Sequence, residues 1–290
     1  MKKVDSNITM ILLLAVILIY FIVGKILNIP LSETIFMIGF ILLFLIIIII
    51  HGWKTLGARE ILIFFLMAYI IALLYEYTEG LGFGQLLGIR FSYSDMLGPK
   101  FLNKTPYIIP LIWSLSLYCA FTMTNITFNR VRTNQNYQEE ISRRWFLKIF
   151  GMGIIAGLIM ISWDLINDPV MVEIGGWTWS KYGLYYGIPL LNFEGWIEIS
   201  MVIFVIFSFY LYKMKRCQMY IGGEKQSSYT LFVVVVYLAI LVVYAIYAVY
   251  ANVTYVIPWA AITMGLVSVI TVIQFYRFTS KKLNLQIGFI

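Results

Sequence analysis

Apolar positions in this chain come in long, nearly unbroken runs. Each run is about 20 residues, the length an α-helix needs to cross the ~30 Å hydrocarbon core of a bilayer. Eight windows are read, at roughly 8–28, 32–51, 60–77, 106–128, 145–166, 192–212, 229–250 and 254–275. Strands of a membrane barrel would alternate apolar and polar positions, and these runs do not. The expectation is an all-α polytopic membrane protein with about eight transmembrane helices. Only "YANVT" separates the last two windows, which predicts a tight hairpin. No Gly/Ser linker or long-period repeat divides the chain, so residues 1–290 are read as a single transmembrane helical domain. The apolar stretch from Ile8 is read as a retained anchor helix, because no small-x-small cleavage site follows it.

The polar positions between the windows give the orientation. Most of the 21 Lys and Arg fall on one side if the N-terminus is inside, including Lys54, Arg59, Arg143, Arg144, Lys215 and Arg216. The positive-inside rule then places both termini in the cytoplasm, as expected of a multi-pass protein of the cell membrane. Most of the acids fall on the other side. The net charge of +7 is therefore a topology signal, and no nucleic-acid partner is inferred from it. The basic loop 129–148 is read as lying near anionic headgroups of the membrane lipids.

Composition narrows the chemistry. The chain is 61% hydrophobic and 12% charged, against about 25% charged in soluble domains. His51 is the only histidine, which excludes histidine-box di-iron oxidation and bis-histidine haem. It is read as capping the inner end of the second span. Cys119 and Cys217 offer neither a disulfide framework nor a metal spacing.

Candidate chemistry gathers in two long outer loops, Glu76 through Thr105 and Trp163 through Trp196. Both carry aromatic and apolar residues that would prefer burial, so they are expected to fold back into the mouth of the bundle. Asp164 and Asp168 are four apart, and Pro169 disfavours helical geometry at Asp168. Asp164 is therefore placed in the last turn of its helix and Asp168 just beyond. The negative helix end, desolvation and a second carboxyl all favour an uncharged acid there. Glu76 and Glu79 share the arrangement at the end of another span. Ionisable residues at such depth are a functional-site hypothesis by default. Asn192 is a plausible N-cap, and Glu194 after it would meet a positive helix end and stay ionised.

Trp163, Trp177, Trp179, Tyr185, Tyr186 and Trp196 cluster in the second loop. Beyond an interfacial belt, they could form π faces around a cation. The Gly80, Gly82 and Gly84 string is a turn or packing feature, since it lacks the strand–turn–helix context of a phosphate loop.

Several strings resemble one family. They are "ExxG" at Glu79–Gly82, "FSYSDMLGP" at Phe91–Pro99, "IPLIW" at Ile109–Trp113, "WDLINDPVM", "GGWTW" and "YYGIPLLNFEGW", spread over about residues 50–215. Their order and spacing resemble the integral-membrane carotenoid biosynthesis proteins that include bisanhydrobacterioruberin hydratase and the carotenoid 1,2-hydratases. The resemblance implies cofactor-independent addition of water to the terminal isopropylidene double bond of an acyclic carotenoid. Glu79, Asp95, Asp164 and Asp168 are the catalytic candidates that match the motifs. Tyr93 and Asn192 join the aromatic cluster as candidate substrate contacts. No metal is implied for this chemistry. Two other classes stay open: a membrane prenyltransferase using Asp164 and Asp168 to hold a magnesium diphosphate, and a transporter or lipid-binding protein with a polar vestibule.

Overall fold

A computed structural model of the protein describes residues 15, 33–78, 88–128, 131–132, 143–214, 219–220 and 223–287. It is an all-α polytopic membrane protein. Seven helices are present among the described residues: α1 (Glu33–Thr55), α2 (Ala58–Tyr77), α3 (Ile108–Thr127), α4 (Arg143–Glu173), α5 (Leu190–Lys213), α6 (Gly223–Tyr250) and α7 (Ile257–Ile287). Six of them, α2 to α7, are long and apolar enough to cross a membrane. Gly39–Thr55 of α1 forms a shorter apolar helix. The count thus differs from the expected eight; window 8–28 lies outside the described residues apart from Ala15. The windows predict the other helices to within a few residues at most ends, and the α6–α7 hairpin closes through a short 3-10 turn at Thr254–Val256.

The exception is α4. The sequence predicts an end near residue 166, but the helix continues to Glu173 with Pro169 inside it. Proline removes one backbone donor and leaves the carbonyl four residues earlier without its helical partner. That carbonyl belongs to Leu165, and the Tyr185 hydroxyl donates to it at 2.8 Å. A side chain from the following loop therefore repairs the helix, and α4 can run on. Burial raises the Tyr185 phenol pKa, so it remains a donor.

Small residues set the closest packing. Gly153 and Gly157 lie one turn apart on α4, a spacing that lets helix backbones approach in membranes. A Cβ at Gly157 would be 2.6 Å from the Ile197 Cα of α5, and one at Gly153 would be 2.9 Å from the Met201 Cα. At the other end of the bundle from the motif loops, His51 is fully buried and joins α1, α3 and α6. Its Nε2 lies 3.1 Å from the Tyr229 carbonyl, which only accepts, so Nε2 carries the hydrogen. Its Nδ1 then accepts from the Tyr118 hydroxyl at 2.7 Å. The residue ties three helices together rather than capping one.

Candidate active site

The two motif loops meet over one end of the bundle. Strand β1 (Phe91–Tyr93) from the first pairs antiparallel with β2 (Trp177–Trp179) from the second, with Ser92 opposite Thr178. Side chains alternate across a strand. Ser92 and Thr178 face outward and bond each other at 2.9 Å. Phe91, Tyr93, Trp177 and Trp179 face inward, with Phe91 against Trp179 and Tyr93 against Trp177 in edge-to-face contacts. The loops thus form an aromatic lid, not a pair of separate linkers. Lys100 anchors it: Nζ donates to the Tyr93 carbonyl and to Asp95 Oδ1, both at 2.7 Å.

Beneath the lid is a cavity of about 440 Å³. Volumes of roughly 300–1,000 Å³ are typical of sites that enclose small ligands. Its walls are apolar and aromatic. Trp113 of α3 stacks on Trp196 of α5 at 3.7 Å. Trp163 of α4 meets Trp196 edge to face, and Tyr244 of α6 meets Trp163 in the same way. Four helices therefore contribute to one continuous aromatic wall.

Three carboxyl groups lie at this end of the cavity, all buried. Glu76 and Asp168 line it, and Asp164 stands behind Asp168. Among the described residues the lining includes no lysine, arginine or histidine, and the donors to these acids are amide, indole and phenol groups. Asn167 Nδ2 donates to Asp164 Oδ1 at 3.0 Å. The Trp177 indole donates to Asp168 Oδ1 at 3.0 Å. Asn192 Nδ2 donates to Asp164 Oδ2 at 2.8 Å and also to Asp168 Oδ2. Asn192 thus brings Oδ2 of both aspartates onto one amide nitrogen. Glu76 Oε2 accepts the Tyr93 hydroxyl at 2.7 Å. Burial, and then the nearby Glu76 carboxyl, push the Tyr93 phenol well above its usual range, so Tyr93 remains a neutral donor.

The placement of each sequence candidate differs. Asp164 is not in a terminal turn: α4 continues nine residues past it, about 13 Å at 1.5 Å per residue. The expected effect of a negative helix end does not reach it, and its setting is made by side-chain donors. Asp168 is likewise inside the helix. Trp163, Tyr93, Trp177, Trp179, Asn192 and Trp196 all line the cavity. Asn192 is not the N-cap; Pro189 is, and Asn192 is the third residue of α5 with its amide turned to the aspartates. Tyr185 supports α4 instead of lining the cavity. Tyr186, at φ 48°, packs on Tyr255 and accepts the Trp259 indole N–H outside the cavity. Asp95 is on the exposed side of the lid, where the Lys100 ammonium holds its carboxyl below the usual range. Glu79 and the Gly80–Gly84 string lie outside the described residues.

Asn167 and the wall residues of α1, α3 and α6 join the site without having been sequence candidates. Asn167 is readable, because it stands three residues after Asp164 and so on the same helix face. Trp113 closes the IPLIW string. Phe44, Val243 and Tyr244 carried no signal, being apolar residues in apolar helices.

A sequence profile for the family described as carotenoid biosynthesis protein matches residues 36–272. The chain belongs to that family. The matched stretch contains every residue that lines the cavity of this carotenoid biosynthesis protein. A bisanhydrobacterioruberin hydratase from Haloarcula japonica is 24% identical over 150 residues, covering 49% of this chain and 44% of that protein. The match therefore spans less than half of that relative's length. No solved structure matches this carotenoid biosynthesis protein.

Proposed function

We propose that the protein is a carotenoid hydratase of the cell membrane, adding water to the terminal isopropylidene double bond of an acyclic carotenoid. One observation carries the reading: buried carboxyl groups on the wall of a mainly apolar and aromatic cavity that, among the described residues, has no cation in its lining. An isolated alkene offers nothing to hydrogen-bond, so the cavity must hold it by burial and aromatic contact. A carboxylic acid of the wall gives its proton to the CH carbon of the double bond. The π pair forms the new C–H bond, and the dimethyl carbon becomes a tertiary cation. Indole and phenol faces stabilise that cation by about 0.5–2 kcal/mol per ring. A water lone pair closes the C–O bond, and the water's extra proton passes to a carboxylate of the site. The sum is one water added and the acid restored. General acid–base assistance of this kind contributes about 10²–10⁴-fold. The similarity to a hydratase supports the same reading.

The test is expression in a host that accumulates acyclic carotenoids, with product analysis by chromatography and mass spectrometry. The expected result is a gain of one water per reacted end. No mass change with any acyclic carotenoid supplied would sink the reading.

A further inference from the structure

We infer that Glu76 is the proton donor and that Asp164 and Asp168 act together as a single anion that receives the water's proton. This rests on the hydratase reading above and assigns roles within it.

The argument is an inventory of hydrogens. All four oxygens of the aspartate pair accept N–H groups: Asn167 and Asn192 at Asp164, Trp177 and Asn192 at Asp168. The Trp177 indole can only donate, and in the orientation seen the Asn167 and Asn192 amides present Nδ2, which has no lone pair to accept a carboxylic proton. Such donors favour negative charge on the pair. Asn192 holds the Oδ2 atoms of both carboxyls on one nitrogen, so a single proton can be shared between them instead of being directed at the cavity. Two fully charged carboxylates in contact would be too costly without a cation, and two neutral acids would waste the N–H donors; one shared charge satisfies both constraints.

Glu76 is different. It lines the cavity, and its partner at Oε2 is the Tyr93 hydroxyl, which can accept as well as donate. A proton on Glu76 is therefore free to face the alkene. Tyr93 belongs to the lid strand, so the lid helps to place the acid. In the cycle Glu76 loses a proton to the alkene carbon and the aspartate pair gains one from the attacking water. Proton return from the pair to Glu76 then restores the starting state.

The experiment is the pH profile of hydration by the full-length protein in membranes, with insertion and thermal midpoint matched between variants. The limb that falls as pH rises reports loss of the donor's proton. Glu76→Asp is expected to displace that limb, and Asp168→Glu to leave it in place. Glu76→Gln, whose side-chain carbonyl still accepts the Tyr93 hydroxyl, is expected to lose at least about 100-fold in turnover while remaining folded. An alkaline limb unmoved by Glu76→Asp, or near wild-type turnover in Glu76→Gln, would overturn the assignment while leaving the hydratase reading intact. If the wild type adds no water to any acyclic carotenoid, the hydratase reading falls and this assignment with it.

Discussion

Asn192 illustrates how a residue's identity can be plain and its task hidden. Near the start of a helix, an asparagine reads as a cap, because its side chain can take a free backbone N–H. Here a cap is not what the residue supplies; its amide bridges two aspartates from another helix. Nothing in local sequence distinguishes the two uses, since the distinction depends on how α4 and α5 pack. Replacing it by leucine should remove donors from both carboxyls at once. Breaking one partner of a buried charged group costs about 3–5 kcal/mol, so Asn192→Leu is expected to lower the thermal midpoint sharply in detergent. Tyr185→Phe makes a contrasting prediction. It strands the Leu165 carbonyl, at about 1–3 kcal/mol, but touches no cavity wall. Stability should fall while turnover per folded molecule is kept; a large loss of turnover at full stability would contradict the helix-repair role.

At the scale of elements, the helices were legible because burial in lipid demands long apolar runs, and the runs were counted directly. The end of α4 was not legible, because the rule that proline stops a helix assumes that nothing replaces the lost bond. The contact between α4 and α5 was legible in principle from "GMGIIAG", where Gly153 and Gly157 are spaced for close approach. Gly157→Val should force Ile197 and α5 outward and separate Asn192 from the aspartates. The expected outcome is loss of both stability and turnover, read by thermal unfolding and product assay on the same preparation. The lid was only partly foreseen: loops rich in buried aromatics had to fold inward, but strand pairing between segments some 86 residues apart cannot be seen from either one. Lys100→Met should loosen it and raise KM for the carotenoid more than it lowers kcat. The Asp95 carboxyl beside Lys100 is held below its ordinary value. That pair is therefore intact through neutral pH and is lost only as pH falls through the lowered value, so the lid anchor should be insensitive to pH across the physiological range.

For the whole molecule, the placement of chemistry follows from the solvent. In the hydration we propose, a long isoprenoid partitions into the hydrocarbon core, while the water that adds to it is outside. The bundle brings the two together near one end, where Tyr77, Glu173 and Tyr250 close their helices and Ile108, Leu190 and Ile257 open theirs. Motif loops, carboxyls and the aromatic wall all converge there. The sequence supplied the convergence of acids and aromatics, because each stood out against an apolar background. The walls from α1 and α6 were invisible, being made of the background itself. The central claim is that the oxygen in the product comes from water by direct addition. Its most direct test is to run the reaction with purified protein in heavy-oxygen water under ordinary air. The account predicts one labelled tertiary hydroxyl per reacted end. A hydroxylated product without the label, or labelled turnover that survives removal of all three carboxyls by Glu76→Gln, Asp164→Asn and Asp168→Asn, would contradict it.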